Sequence, residues 1–387
     1  MISLVWTLMT SCDVARNEVE PTLAFTKIYD DRQFSTTYDP LSVVATKDGG
    51  YLTLSSTDQW NIYLLKSDVN GEFAWDIRVP DAYVNPVSGL FNLEDQYYLF
   101  CMNEVTLATV VMKIDLVEQS ITPVTELDEV QYPLAVTLTD NHNFLVLGYN
   151  RKSRSSTLHA LHTNFSTNWA KQYSIKEDME EDIVRHISHI GRRLPFFVGS
   201  TPDNHSFYFN GFSNYTLGLN FVSPQSGELT GSLNGFRDDE YISAAYPIDK
   251  GKFALARSSY GTSSILPFAT VSSASIAASG DLSANNFPEI DTNARIIVHE
   301  ISYHGKPVVL FGTHTKNQQL VLYAYDKESG EILGSQYLGQ YTPYRMGDFA
   351  STEDGGLIVF CETLVAGRFS RPCLFKLSAD EIAAFIK

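Results

Sequence analysis

Two distant segments of the chain share one hairpin pattern, and this repetition limits the possible folds more than any other feature. Residues 45–56 read ATKDGGYLTLSS, and residues 351–362 read STEDGGLIVFCE. In each segment an Asp-Gly-Gly turn separates two stretches of alternating apolar and polar residues. Such a turn is a strong β-hairpin signal, because glycine tolerates the positive φ that tight hairpin turns require. The chain is therefore predicted to consist of repeated β-hairpins.

Five further segments follow the same pattern less closely. Together the segments predict turns near Asp48, Asp95, Asp140, Gly191, Asp249, Gly305 and Asp354. Neighbouring turns are 45 to 58 residues apart. About fifty residues is the length that one four-stranded antiparallel sheet and its connections need. Repeats of this length are typical of the blades of a β-propeller.

The second half of each unit and the two chain ends complete the fold prediction. In residues 61–79 and 320–338 a strand, a turn and another strand follow the hairpin, so each unit contains four strands, A to D. The last unit lacks strand D, and residues 23–31 have the pattern of one. We therefore predict an all-β fold over residues 23–387: a single β-propeller of seven four-stranded blades, closed by the N-terminal strand joining the last blade. A capping box from Ser378 to Glu381 predicts a short C-terminal helix.

The motif of residues 46–77 contains an Asp-Gly-Gly turn, Lys66, an Asn-Gly turn and Trp75. It resembles the repeat of a large group of secreted and lipid-anchored β-propellers from the Bacteroidota. The resemblance is close over the first and last units, loose over the second, third and sixth, and poor over residues 180–295. Most members of that group have no assigned activity, so the resemblance implies a fold and a cellular location but no activity.

Residues 1–12 read MISLVWTLMTSC and resemble a bacterial lipoprotein signal, in which an apolar stretch precedes small residues and a cysteine. Two features depart from that pattern: Met9 stands where leucine is usual, and no Lys or Arg precedes the apolar stretch. We expect residues 1–11 to be a signal peptide, Cys12 to be acylated, and residues 12–22 to form the lipidated cysteine and a flexible tether. This predicts a lipid-anchored outer-membrane protein, on the cell surface rather than the periplasmic face. A buried N-terminal strand is the alternative.

The charge and the cysteine content exclude several classes of protein. A net charge of −17 argues against nucleic acid as a partner, because phosphate binding requires a basic surface. No apolar stretch is long enough to span a bilayer as a helix. Besides Cys12, the chain contains Cys101, Cys361 and Cys373. We expect these three to be buried thiols, with a bridge between Cys361 and Cys373 as the open alternative.

No cofactor and no metal site is predicted. His299, Glu300 and His304 resemble a zincin motif, but the spacing is one residue too long, and the two histidines would face opposite sides of a strand. Sialidase boxes, a GxSxG elbow and a phosphate-binding loop are absent from the sequence. We therefore predict no catalytic residues and expect the chain not to be an enzyme.

Long connections are expected on one face of the propeller. The A–B and C–D turns share one face, while the B–C and D–A connections share the other, here called the loop face. Acidic runs at residues 126–129 and 177–182, and the Ser- and Ala-rich residues 258–287, are also expected there. Exposed aromatic residues beside arginines suit a protein interface on such loops. The candidate interface residues are Trp60, Arg151, Arg154, Tyr260, Tyr341, Tyr344, Arg345, Arg368 and Arg371.

These features favour a non-catalytic interaction module, an accessory subunit that docks on an integral outer-membrane protein or a larger membrane complex. A glycan- or peptide-binding propeller is the first alternative, and exposed aromatic residues around the channel would favour it. A propeller hydrolase or lyase is the second. It requires Asp, Glu, His or Arg side chains that converge at the channel mouth with perturbed pKa values.

Overall fold

The computed structural model describes residues 23–30, 36–188, 193–237, 239–365 and 368–387. The chain is a seven-bladed β-propeller of antiparallel sheets, which confirms the predicted fold class. The predictions for the signal peptide, Cys12 and the tether lie outside the described residues. Within those residues, no helix has the length and apolar character needed to cross a membrane.

The first three blades follow one another directly along the chain. The N-terminal strand is β1 (Phe25–Ile28). Blade one contains β2 (Tyr38–Ala45), β3 (Tyr51–Thr57), β4 (Ile62–Ser67) and β5 (Phe73–Arg78). Blade two contains β6 (Tyr83–Val84), β7 (Phe91–Leu93), β8 (Gln96–Asn103), β9 (Ala108–Asp115) and β10 (Ser120–Gln131). Blade three contains β11 (Pro133–Leu138), β12 (Phe144–Asn150), β13 (Ser155–Leu161) and β14 (Thr167–Ser174).

Helix α1 (Glu180–Ile187) precedes blade four. Blade four contains β15 (Phe197–Ser200), a 3-10 helix (Pro202–Asn204), β16 (Phe207–Ser213), β17 (Thr216–Val222) and β18 (Leu229–Asn234). The next segment contains β19 (Glu240–Asp249), β20 (Lys252–Ser259), β21 (Thr262–Thr270), β22 (Ile276–Ala278), a 3-10 helix (Ser279–Asp281) and β23 (Asn285–Asn286). All of its strands except β22 form blade five.

The last two blades are regular. Blade six contains β24 (Ile297–Tyr303), β25 (Lys306–His314), β26 (Leu320–Asp326) and β27 (Ile332–Leu338). Blade seven contains β28 (Tyr344–Ser351), β29 (Leu357–Val365) and β30 (Phe369–Leu377), followed by helix α2 (Ala379–Phe385).

Strand β1 completes blade seven and closes the ring. It pairs antiparallel with β30, with Phe25 opposite Lys376. Arg371 of β30 is only 1% exposed and holds the N-terminal segment in place. Its Nε lies 2.8 Å from Asp30 Oδ1, and its Nη1 donates to Thr36 O at 2.8 Å. The predicted closure by the N-terminal strand is confirmed.

The first Asp-Gly-Gly turn is held by one hydrogen-bonded cluster. Asp48 accepts from Thr46 Oγ1 at 2.5 Å and from Gly50 N at 3.2 Å, and Lys66 Nζ lies 2.9 Å from its other oxygen. Gly49 has a φ of 81°, a conformation that favours glycine. A Cβ on Gly50 would lie 2.3 Å from Lys66 Nζ. The same Cβ would lie 2.2 Å from Ser67 O, so the second glycine is required because the backbone of the neighbouring strand approaches the turn.

Blade seven repeats this cluster. Asp354 Oδ1 accepts from Gly356 N at 3.1 Å and from Lys376 Nζ at 2.7 Å, and Thr352 Oγ1 also donates to it. A Cβ on Gly356 would lie 2.1 Å from Lys376 Nζ. The two segments that match best in sequence thus belong to blades one and seven, and in both blades a buried lysine pairs with the aspartate of the turn.

The fourth A–B connection differs from the prediction. It lies at residues 201–206 rather than near Gly191, because residues 180–187 form helix α1 instead of a strand. Acidic residues occupy the first turn of α1, and Arg185 and His186 occupy its last turn. Both sets complement the helix dipole and favour a helix here. Strand A of blade four therefore begins only at Phe197.

Two further segments lie elsewhere than expected. The acidic run 126–129 belongs to β10, the outer strand of blade two, rather than to a loop. Beyond Tyr260, residues 258–287 do not lengthen the loop face: β22 pairs in parallel with β18 of blade four, and β23 pairs with β21. Small residues permit this close edge packing, since a Cβ on Gly231 would lie 2.7 Å from Ser273 O.

Buried aromatic rings fill the space between neighbouring blades. Between blades two and three, the rings of Phe100 and Phe144 lie 5.1 Å apart, and those of Phe144 and Phe165 lie 5.4 Å apart. Such ring pairs stabilise the contact between sheets beyond the area that they bury. Each pair of neighbouring blades is joined in this way by its own cluster of buried apolar side chains.

The cysteines of the described residues are buried, free thiols. Cys361 and Cys373 are directly opposite each other on β29 and β30, and Cys361 Sγ lies 3.5 Å from Cys373 O. Burial raises the pKa of the Cys101 and Cys361 thiols, so both are held in the unreactive thiol form.

Candidate functional site

Exposed apolar side chains concentrate on the loop face. The described A–B and C–D connections contain two large exposed hydrophobic residues, Val117 and Ile276, and Ile276 lies on β22 at the edge of blade four. The exposed hydrophobic residues that belong to neither face of the described propeller lie on or beside the outer strands. The face that carries more of these residues is the candidate for an interaction surface. On the loop face these residues are Trp60, Val105, Val184, Tyr215, Phe236, Tyr260 and Tyr341.

Several of these side chains are aromatic and strongly exposed. Tyr341 is 95% exposed and Tyr260 is 67% exposed. The Tyr260 ring lies 6.5 Å from the Phe236 ring. Trp60 and Tyr260 have φ values of 63° and 44°, in the left-handed region that bulky residues rarely adopt. A strained backbone that presents an aromatic side chain to solvent favours a functional role for that side chain.

Residues 175–188 and 193–196, here called the crossing connection, lie between β14 and β15, and His186 and Arg193 among them line the channel. Trp60 Nε1, from blade one, donates to Ser188 O of this connection at 2.8 Å. Arg193 Nη1, near its end, lies 2.6 Å from Asp39 Oδ2 on β2. Blades one and four are not neighbours in the ring. The two contacts are therefore possible because the connection passes over the channel.

Two predicted interface arginines contact the start of the crossing connection. Arg151 Nε lies 2.5 Å from Glu180 Oε1, and Arg154 Nη2 lies 3.4 Å from Asp178 Oδ2. Both arginines are exposed, so each pair contributes only about 0–1 kcal/mol to stability. These side chains can therefore exchange their present partners for groups of a binding protein at little cost.

The remaining predicted interface residues divide into exposed and buried groups. Arg345 and Arg368 are exposed on the loop face. Tyr344 is only 8% exposed and packs on Phe375, with ring centroids 5.2 Å apart, because it begins β28 on the core side. Arg371 lies within β30 and holds the closure strand. The prediction that Tyr344 and Arg371 belong to the interface is wrong.

The channel contains a cavity of about 670 Å³ at the centre of the ring. Residues from all seven blades line it, and its wall includes the apolar side chains of Leu41, Val136, Val198 and Ile297. Small-molecule sites in proteins have volumes of about 300–1,000 Å³. The channel therefore has the size and the wall of a site for a small molecule.

An acidic residue and a histidine face each other in the channel wall. His299 Nε2 lies 3.2 Å from Asp348 Oδ1. Asp348 also accepts from Phe349 N at 2.9 Å and, through Oδ2, from Val43 N at 3.1 Å. Backbone donors from two blades thus hold this carboxylate in one orientation. His299 and Glu300 contact different blades: His299 lies beside Asp348 of blade seven, and Glu300 accepts a hydrogen bond from Tyr246 Oη of blade five.

Glu362 lies close to the channel mouth on β29, and burial raises its pKa to about 7. A hydrogen bond from Ser370 opposes this shift, the negative charge of Asp39 adds to it, and Arg345 opposes it. A carboxyl group that titrates near neutral pH is typical of functional sites, although structural networks also produce such shifts.

The residues that meet at the channel mouth were not predicted from the sequence. Arg295 Nη1 donates to Pro40 O at 3.3 Å and to Gly347 O at 3.2 Å, while Arg193 pairs with Asp39. These groups come from four different blades, so no local motif links them. Their one shared signal is position, since each lies at or just before strand A of its blade.

Within the described part of the chain, no group of three or more His, Cys, Asp or Glu residues is placed to hold a metal ion. Asp348, His299 and Arg295 of the channel are paired with one another or with backbone atoms, whereas Arg193 Nε and Ser243 Oγ have no hydrogen-bond partner within the described residues. They can orient a polar or charged ligand through hydrogen bonds.

No family model and no curated protein sequence matches this chain. Among solved structures it is similar to hydrazine synthase from Kuenenia stuttgartiensis, with 10% identity over 87% of this chain and 95% of that one, and a TM-score of 0.52. It is also similar to Raptor from Chaetomium thermophilum, with 11% identity and a TM-score of 0.51 over 88% of this chain. The chain spans 28% of the Raptor chain. At these identities both likenesses show the fold alone.

Proposed function

We propose that this chain is a non-catalytic interaction module that docks on a protein partner through the loop face. One observation carries the proposal: seven large exposed hydrophobic residues lie on the loop face, against two, Val117 and Ile276, in the described A–B and C–D connections. A stable interface buries roughly 800 Å² on each partner and depends on aromatic and arginine side chains at its centre. Tyr260, Tyr341, Arg151 and Arg345 are exposed residues of these types.

We further propose that a lipid on Cys12 holds the propeller at the outer membrane, on the cell surface. The motif Thr10-Ser11-Cys12 supports this placement. An extended tether over residues 13–22 would reach about 35 Å at most. A partner within that distance is an integral outer-membrane protein or a membrane complex, of which this chain would be an accessory subunit.

Val105 and Val117 provide a matched test of the docking face. Both belong to blade two, both are 86% exposed, and the backbone N–H of each donates to the side chain two residues earlier. Val105 lies in the B–C connection on the loop face, whereas Val117 lies in the C–D turn on the opposite face. A photo-crosslinking residue at Val105 in intact cells should give a discrete adduct with one membrane protein, and the same residue at Val117 should not.

Substitutions at Val105 and Val117 test the docking face in a second way. Val105→Glu should weaken co-purification of the crosslinked protein by at least about tenfold, since it introduces a charge into an apolar contact. Val117→Glu should leave co-purification unchanged. Equal adducts from both positions, or no adduct from Val105, Tyr260 and Tyr341, would show that the loop face is not the docking surface.

The anchor is tested separately at Cys12. Cys12→Ala should move the protein from the membrane to the soluble fraction after carbonate extraction, because the acyl chains supply the membrane affinity. Cys101→Ala changes a buried thiol of β8 and should leave the membrane fraction unchanged. Retention of the Cys12→Ala protein in carbonate-washed membranes would overturn the proposed anchor without affecting the docking proposal.

A further inference from the structure

The channel mouth places two arginine side chains beside an apolar wall. Arg193 and Arg295 both line the central cavity. Asp39 pairs with Arg193 at 2.6 Å. For Arg295, the partners found among the described residues are backbone carbonyls, Pro40 O and Gly347 O. The cavity therefore has one guanidinium whose charge no carboxylate of the described chain neutralises.

Arg193 is also incompletely satisfied. Its Nε is buried and has no hydrogen-bond partner within the described residues. Burial lowers the pKa of Arg193, the positive charge of Arg295 lowers it further, and Asp39 opposes both effects. The guanidinium nevertheless stays charged, as arginine does in proteins. A buried donor without a partner destabilises the folded chain.

We infer that the channel mouth binds a small organic carboxylate, with its carboxylate group between Arg193 and Arg295 and its apolar part along the channel wall. Guanidinium groups match carboxylates in geometry and form strong, charge-assisted hydrogen bonds with them. Leu41 and Ile297 line the same cavity and would contact an apolar body.

The other charges of the channel limit the ligand further. Asp348 lies farther along the wall and is negatively charged, so a second carboxylate at that depth would be repelled. The chain as a whole carries a net charge of −17, so general attraction does not bring anions to this surface. A monocarboxylate with an apolar or hydrogen-bond-donating body fits the site best. This inference does not depend on the proposed docking function.

Fluorine NMR of the detergent-solubilised full chain tests the inference with two probes of almost identical shape. We expect 4-fluorobenzoate to show saturable line broadening and 4-fluorobenzamide, which lacks the charge, to bind at least about tenfold more weakly. Equal broadening by the two probes, or no broadening by the benzoate at roughly 10 mM, overturns the inference. This comparison needs no variant, so it remains decisive if a substituted chain fails to fold.

Two variants locate the binding site. Arg295→Gln retains a donor for Pro40 O and Gly347 O but removes the charge. It should lower the affinity for 4-fluorobenzoate at least about tenfold. Arg237→Gln removes an exposed arginine that does not line the cavity and should leave binding unchanged. Unchanged affinity in a folded Arg295→Gln chain, verified by its circular dichroism and melting curve, would place the anion elsewhere.

Discussion

Arg193 Nη1 lies 2.6 Å from Asp39 Oδ2, and this ion pair joins the crossing connection to the first strand of blade one. This ion pair couples two features of the molecule. The crossing connection forms part of the loop face, and Arg193 itself lines the cavity. A partner that displaces the connection would therefore also change the charge at the channel mouth. Docking and ligand binding are thus expected to influence each other, and by thermodynamic linkage the influence is mutual.

Trp60→Phe should loosen the crossing connection. The change removes the indole N–H that donates to Ser188 O while it keeps an aromatic ring. We expect faster amide hydrogen exchange in residues 180–188 and a loss of about 1 kcal/mol in the free energy of unfolding. Hydrogen exchange with mass spectrometry measures the first effect, and urea unfolding measures the second.

Trp169→Phe is the matched control, because Trp169 Nε1 also donates to a backbone carbonyl, Pro224 O, at 2.7 Å. It should cost a similar amount of stability but leave exchange in residues 180–188 unchanged. Equal acceleration of exchange there by both variants would mean that Trp60 does not hold the connection specifically.

Asp354→Asn should lower the free energy of unfolding at pH 7 by about 1–3 kcal/mol. The change leaves the Lys376 ammonium, which is 2% exposed, without its carboxylate partner. Urea unfolding at several pH values measures the effect. Asp326→Asn removes a turn aspartate that accepts from Ser329 N at 2.8 Å but has no buried lysine beside it, and should cost less. An equal loss in both variants would contradict a role for the buried ion pair.

The sign of the pH dependence follows from the pKa of Asp354. Burial alone would raise this pKa, but hydrogen bonds from Lys376 and Thr352 lower it below its ordinary value of 3.8. The folded chain therefore binds fewer protons here than the unfolded chain. The contribution of Asp354 is fully present above pH 3.8 and is lost as the pH falls through the lower folded-state pKa. The difference between the wild type and Asp354→Asn should accordingly shrink in acid.

Glu362→Gln should have the opposite pH dependence. Burial raises the pKa of Glu362 from 4.5 to about 7, so the folded chain binds more protons than the unfolded chain between these values. The wild type therefore loses stability as the pH rises from 4.5 to about 7, by up to about 3 kcal/mol. Glutamine carries no charge at any pH, so the variant should lack this decline. Parallel melting temperatures of the two chains between pH 5 and 8 would rule out the shifted pKa.

Much of the fold followed from local chemistry that the sequence displays directly. The Asp-Gly-Gly turns and the alternation of their flanking strands act within a few residues, so they predicted the hairpins, the repeat and the closure by residues 23–31. The capping box of α2 is equally local: Ser378 Oγ accepts from Glu381 N at 3.2 Å, as predicted. Helix α1 was missed because its own repeat unit is degenerate in sequence, and the prediction relied on the repeat.

The sites were decided by tertiary structure. Asp39, Arg193 and Arg295 lie far apart in the chain and meet because the ring brings the starts of the A strands to one end of the channel. Tyr344 and Arg371 have the composition of an interface, yet their positions on β28 and β30 bury them. The type of a residue determines which groups its side chain can bind. The exposure and the neighbours of that side chain depend on how distant strands pack. The sequence by itself therefore determined the propeller and its repeated turns, and only the closed ring determined which charges share the channel.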